Sequence, residues 1–166
     1  MPRTIAGSVL IDVRTEEAWA FLSDPHRAHS LAAQSTVTPL SGSYDTVGSR
    51  YLVTTRVMGQ TLDATHEIIR YEPPRLLETR ITSQGTVSTN LVQVEPVRDD
   101  ACVVVIQGEI EWGGSFQAIV SRIMTALVGR KTIAGYLDRL KRAIEDDARN
   151  RSAVLADREP HLAEEG

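Results

Sequence analysis

Between about residue 34 and residue 112 the chain is written in short β-branched runs that alternate apolar and polar residues, and each run ends in a cluster of Gly, Pro or Asp. A period of two puts successive side chains on opposite faces of a strand, and short connections force neighbouring strands to run antiparallel. The breaks at "SGSYDTVG", Gly59, "EPP" at 72–74, Gly85 and "EPVRDD" at 95–100 predict six strands, near 35–41, 48–58, 61–71, 76–83, 86–95 and 102–112. A meander of that size has a face that must be kept from water, so the rest of the chain has to supply a cover.

The cover is legible downstream. After Gly113-Gly114 the period changes, and Ile119, Ile123, Leu127, Ile133, Leu137, Leu140 and Ile144 recur at helical spacing over about 30 residues. The half "FQAIVSRIMTALV" is apolar around most of its circumference, so it has to be covered on more than one side or line something apolar, whereas "DRLKRAIEDD" reads as an ordinary half-wet helix. Upstream, "TIAGSVLIDV" predicts a further strand. Thr15 then reads as an N-cap, with Glu16 and Glu17 in the first helical turn, where the helix dipole favours negative charge. Asp24-Pro25 stops that helix and starts a second short one. The sum is an α+β chain: two short helices after the first strand, about seven antiparallel strands in all, and one long C-terminal helix. A sheet that curls around a single helix leaves room between the two for a mostly apolar pocket with a few polar groups.

At 166 residues the chain is the size of one domain. We expect that domain over 1–148 and a charged, flexible tail over 149–166, where "ARNRSAVLADREPHLAEEG" loses sustained periodicity. A net charge of -4 argues against a phosphate-neutralising surface, so nucleic acid is not an expected partner. The single Cys102 cannot form an internal disulfide, and "MPRTIAGSVLIDV" lacks the basic head and long apolar body of a signal peptide, which together predict a cytoplasmic protein. No window approaches about 18 consecutive apolar residues, so no integral membrane segment is expected. A homodimer is compatible with the sequence but not specified by it.

The signatures of hydrolases, zinc proteases, nucleotide binders and thioredoxin-like enzymes (GxSxG, HExxH, P-loop, GxGxxG after the first strand, CxxC) do not occur, and neither a redox nor a nucleotide cofactor is expected. His26 and His29 stand three apart behind Asp24, but a zinc site needs a further ligand that the neighbourhood lacks; they read as a solvated helix surface, and no metal is expected. Cys102 sits among Val103, Val104 and Val105 and reads as a buried, inert thiol.

In "TLDATHEIIRY" strand parity separates Asp63, Thr65, Glu67, Ile69 and Tyr71 from Leu62, Ala64, His66, Ile68 and Arg70. The second set is more apolar toward its centre and is taken as the interior, which puts His66 inside and Glu67 outside. An interior His66 is either a general acid/base or a residue satisfied by a neighbour. On the preceding strand Arg56 and Met58 share a face with Leu52, so Arg56 either lies in water or pairs with an anion inside. Asn90 and Gln107, both mid-strand, can orient a ligand oxygen or face solvent. Phe116 and Met124 on the apolar helix half suit an adaptable pocket or an ordinary core.

Three strings, "SVLIDVRTEEAWAFLSDPHR" at 8–27, "EIIRYEPPRLLETR" at 67–80 and "GRKTIAGYLDRLKRAIE" at 129–145, together with the order of elements, resemble the START-like (SRPBCC) superfamily, in particular its polyketide cyclase/dehydrase and lipid-transport branch. The resemblance covers about residues 4–146. It implies the helix-grip fold and a hydrophobic small-molecule ligand: a polyketide, an aromatic biosynthetic intermediate or a lipid. For an enzyme it implies an aldol-type cyclisation or dehydration, with His66 moving the proton and Asn90 or Gln107 orienting an oxygen. Two other readings stay open: a non-catalytic carrier or sensor of lipid or quinone type, and a stress-response interaction protein that meets a partner through the apolar helix half.

Overall fold

The computed structural model describes residues 3–32, 34–57, 59–111 and 130–158. Strand β1 (Arg3–Ile11) leads into helices α1 (Thr15–Leu22) and α2 (Pro25–Ala28) and a 3-10 turn over His29–Leu31. Six strands follow: β2 (Ser35–Ser41), β3 (Arg50–Val57), β4 (Gln60–Glu72), β5 (Leu76–Ser83), β6 (Thr86–Arg98) and β7 (Ala101–Glu111). The last described element is α3 (Arg130–Arg158). All neighbouring strands are antiparallel, in the order β1-β7-β6-β5-β4-β3-β2. The meander therefore runs as its turn residues dictate, and β1 adds to its far end by pairing with β7, Ile5 opposite Gly108 and Ile11 opposite Cys102. The β5–β6 turn is a two-residue connection in which Gln84 and Gly85 both take positive φ, 48° and 81°, the geometry that matches the twist of a tight hairpin.

Helix α3 lies on the inner face of the sheet beside β1. A Cβ placed on Gly7 would stand 2.7 Å from Leu137 Cδ1 and 3.0 Å from Ile133 Cγ2, so the absence of a side chain at Gly7 is what lets the helix come this close. Polar contacts fix the same joint: Lys141 Nζ donates to the Leu10 carbonyl (2.9 Å) and pairs with Glu145 (3.0 Å) and Asp12 (3.2 Å), while the Asp12 N–H donates to Glu145 (3.0 Å). Beyond that joint Ile11, Phe21, Val94, Val104, Leu140 and Ile144 close the core, each large aliphatic or aromatic side chain contributing about 1.5–3 kcal/mol of burial.

Three local readings of the sequence are corrected. Thr15 is the first helical residue and Arg14 the cap; Glu17 closes the turn by accepting the Arg14 backbone N–H at 3.1 Å. A bulge between Ile68 and Arg70 adds a residue to β4 and reverses parity beyond it. Tyr71 consequently leaves the Glu67 face and packs on Trp19 with ring centroids 5.5 Å apart, while Arg70 lies in water against Glu72. Helix α3 also continues past residue 148 to Arg158. The run past 148 is polar but laced at i,i+3 and i,i+4 by Asp146–Arg149 and Asp147–Arg151, and Asp147 is tied to Arg27 of α2 at 3.2 Å, so charge pairing extends the helix where hydrophobic periodicity has ended. Of the long predicted helix, residues 115–129 lie outside the described residues.

Candidate ligand cavity

The inner face of the sheet is a grid that can be read from strand register. Tyr51, His66, Ile81, Ser88 and Ile110 stand opposite one another across β3, β4, β5, β6 and β7 and form one row. Ile68, Thr79, Asn90, Gly108 and Ile5 form the next, and Leu77, Val92, Ile106 and Gly7 the third. Every residue of the three rows lines one cavity of about 470 Å³, which Ile133, Tyr136, Leu137 and Arg139 of α3 and Ala28 and His29 at the end of α2 bound on the other sides. The room is made by what the grid lacks. Among the described residues a Cβ on Gly108 would meet nothing nearer than a backbone oxygen at 3.8 Å, in contrast to Gly7.

The walls are aliphatic apart from a few groups. His66 is 5 % exposed, stacks on Tyr51 (centroids 4.9 Å, 22° between planes) and meets His29 edge-on at 5.1 Å. Its Nδ1 is buried with no hydrogen-bond partner among the described residues. Burial, and secondarily the nearby His29, push the His66 imidazole down to about 3, and burial lowers His29 as well, so near neutral pH the His66 ring is uncharged. A neutral imidazole offers one donor and one acceptor, and the free Nδ1 is one of these in either tautomer. The Tyr51 phenol is raised, chiefly by burial, and stays protonated. From Tyr51 the rings continue outward, Tyr44 edge-on at 5.6 Å and then exposed His26, whose Nε2 lies 3.3 Å from the Tyr44 hydroxyl. Thr79, Ser88, Thr89 and Asn90 add polar lining from the sheet.

The site residues named from sequence are divided by this geometry. His66 and Asn90 line the cavity. Arg56 is exposed and Gln107 lies on the opposite parity from Ile106 and Gly108; neither belongs to the lining. Met58, Phe116 and Met124 lie outside the described residues, as does the apolar helix half invoked for a protein partner. His29, read as solvated surface, is instead half-buried against His66 and Tyr51, because the 3-10 turn after α2 folds it back over the sheet. Sequence reasoning passed over Tyr51, Thr79, Tyr136 and Arg139. Parity places Tyr51 and Val53 opposite Arg56, and the buried pair was the available signal for which face is inner. Cys102 is fully buried, and burial first, with Glu16 and Glu17 behind it, pushes its thiol up to about 11. Among the described residues no cluster of three or more His, Cys, Asp or Glu is placed to hold a metal, and no helix is long and apolar enough to cross a membrane.

Solved structures share this architecture. A conserved protein from Geobacillus kaustophilus superposes with a TM-score of 0.67 at 17% identity, covering 87% of this chain and 96% of that one. The Zhui aromatase/cyclase of a Streptomyces species gives 0.65 at 14%, covering 87% and 94%. Norcoclaurine synthase from Thalictrum flavum, in complex with dopamine and hydroxybenzaldehyde, gives 0.62 at 17%, covering 88% of both chains. At these identities the likeness is one of fold, the helix-grip arrangement of a curved sheet and a long C-terminal helix. No curated protein sequence matches the chain. The family described as polyketide cyclase/dehydrase and lipid transport matches residues 2–145, nearly the whole folded part, and the chain belongs to that family.

Proposed function

We propose that the protein binds an apolar small molecule bearing a carbonyl or hydroxyl oxygen, and that it acts on a polyketide-like chain as a cyclase or dehydratase. The His66 imidazole carries the reading: it stands uncharged in the cavity wall among aliphatic side chains, where a neutral imidazole can hydrogen-bond a ligand oxygen. The apolar walls hold the chain folded, which brings two of its carbonyl groups within reach of each other. His66 then takes the proton from a carbon flanked by two carbonyls, the enolate carbon attacks a third carbonyl carbon farther along the folded chain, and the resulting alkoxide takes the proton back from His66. Loss of water completes a dehydration. An imidazole held near 3 is a weak base in the empty cavity, and the developing enolate beside it raises its proton affinity. Asn90 and Thr79, one row away, are the groups that orient the other oxygen.

The same low proton affinity favours a second reading, a carrier that only hydrogen-bonds its cargo. Native mass spectrometry of the protein, extraction of what copurifies, and assay of His66→Ala on that compound or its precursor separate the two. Turnover by the native chain that falls at least about a hundredfold in the variant, the contribution of one positioned acid/base, supports the enzyme. Retention without turnover, weakened about tenfold in the variant, supports the carrier. An empty protein that takes up no apolar compound overturns both.

A further inference from the structure

Five basic side chains of α3 have defined surroundings: Arg139, Lys141, Arg142, Arg149 and Arg151. Four are neutralised on the helix itself: Lys141 by Glu145, Arg142 by Asp138 at 2.9 Å, Arg149 by Asp146 and Arg151 by Asp147. Arg139 alone has no carboxylate partner among the described residues, and it alone of the five lines the cavity. It is exposed, so it stands where the cavity meets water. Its charge is felt at the neighbouring wall: burial pushes the Tyr136 phenol up, and the Arg139 cation pulls part of the way back.

A guanidinium presents a planar fork of donors that fits two oxygens of an anion, and the apolar walls beside it strengthen that attraction over its value in bulk water. The setting sharpens the effect, since on a chain of net charge -4 the attraction for an anionic ligand comes from local cations and not from the overall charge. We propose that the ligand is an amphiphile: its apolar body fills the cavity, and its anionic group, a carboxylate or phosphate, is held at the rim by Arg139 beside Tyr136. This specifies the ligand class of the cavity proposed above and rests on that reading.

Two fluorescent probes with one aromatic body test it. 1-Anilinonaphthalene-8-sulfonate carries an anionic group, and N-phenyl-1-naphthylamine is its neutral counterpart. Titrated into the full chain at low salt, both are expected to bind, with the sulfonate favoured on the order of tenfold, the size of one charge-assisted contact at a wet rim. In Arg139→Gln the preference disappears while the neutral probe keeps its affinity within about twofold. Arg142→Gln, on the same helix but paired with Asp138, leaves both affinities unchanged. Displacement of the neutral probe by decanoate, decyl phosphate and decanol then tells carboxylate from phosphate, and either anion outcompeting the alcohol in an Arg139-dependent way supports the proposal. A preference that survives Arg139→Gln, or that Arg142→Gln removes equally, overturns it. Equal binding of the two probes to the native chain overturns the anionic rim and leaves the cavity standing, whereas failure of both to bind overturns the cavity and the rim together.

Discussion

Replacing His66 by Phe should remove an acid lability that the cavity imposes on the fold. In the folded chain the imidazole is held near 3; in the unfolded chain it returns to the ordinary value of 6.5. Between those two pH values the unfolded state binds a proton that the folded state refuses, so His66 causes stability to fall as pH drops below 6.5. The effect is complete only near pH 3, but at pH 5 it already amounts to about 2 kcal/mol, the 1.5 units below 6.5 at about 1.4 kcal/mol each. Phe keeps the ring stacked on Tyr51 and edge-on to His29, takes no proton and leaves no buried nitrogen unsatisfied. The measurement is urea unfolding of ligand-free chain, refolded from denaturant, at pH 7 and pH 5 for both proteins. Other titrating groups act in both and cancel in the difference of differences. The native chain should lose about 2 kcal/mol more than His66→Phe over that interval, seen in melting as an additional drop of roughly 4–8 °C. At pH 7 the variant should be at least as stable as the native chain, because the orphaned nitrogen is gone. Identical pH slopes in the two proteins would show that His66 titrates normally, and the account of its environment would be wrong.

Two further outcomes follow from the packing. Gly7→Val puts methyl groups where Leu137 and Ile133 already stand, and pushing α3 away from β1 should cost about 1–3 kcal/mol in chemical unfolding and weaken ligand binding in parallel, since all three residues line the cavity. Cys102, buried and raised to about 11, should be silent to a thiol reagent at pH 8 in the folded protein and react at once in urea; rapid labelling of the native chain would contradict its burial.

The elements were legible because each is announced locally. Gly, Pro and Asp at the turns fix where strands end, and β-branched alternation fixes what lies between, so six predicted strands match six observed ones to within a few residues. The interior position of His66 followed from parity together with the apolar residues on its face, and Ile68, two residues on, is indeed 1 % exposed. Parity failed where something not written in the local pattern intervened. The bulge at Ile69 turned Tyr71 onto Trp19, and nothing in "IIRYEPP" marks an extra residue, because the bulge answers the curvature that the whole sheet must adopt.

The cavity itself was decided by tertiary structure. Register across five strands is what sets Tyr51, His66, Ile81, Ser88 and Ile110 in one row, and a register is a relation between segments that no single segment contains. Arg56 and Gln107 carry the same chemistry as true lining residues and differ from them only in which face they occupy. His29 reached the site through a 3-10 turn that folds back over the sheet, and Arg139 through the rotation of α3 about its own axis, which the contact at Gly7 fixes. The sequence by itself determined the strands, the helices and the need for a cover, since these rest on propensity and period. Which side chains meet around the empty space was left to packing, because that depends on distances between residues remote in the chain.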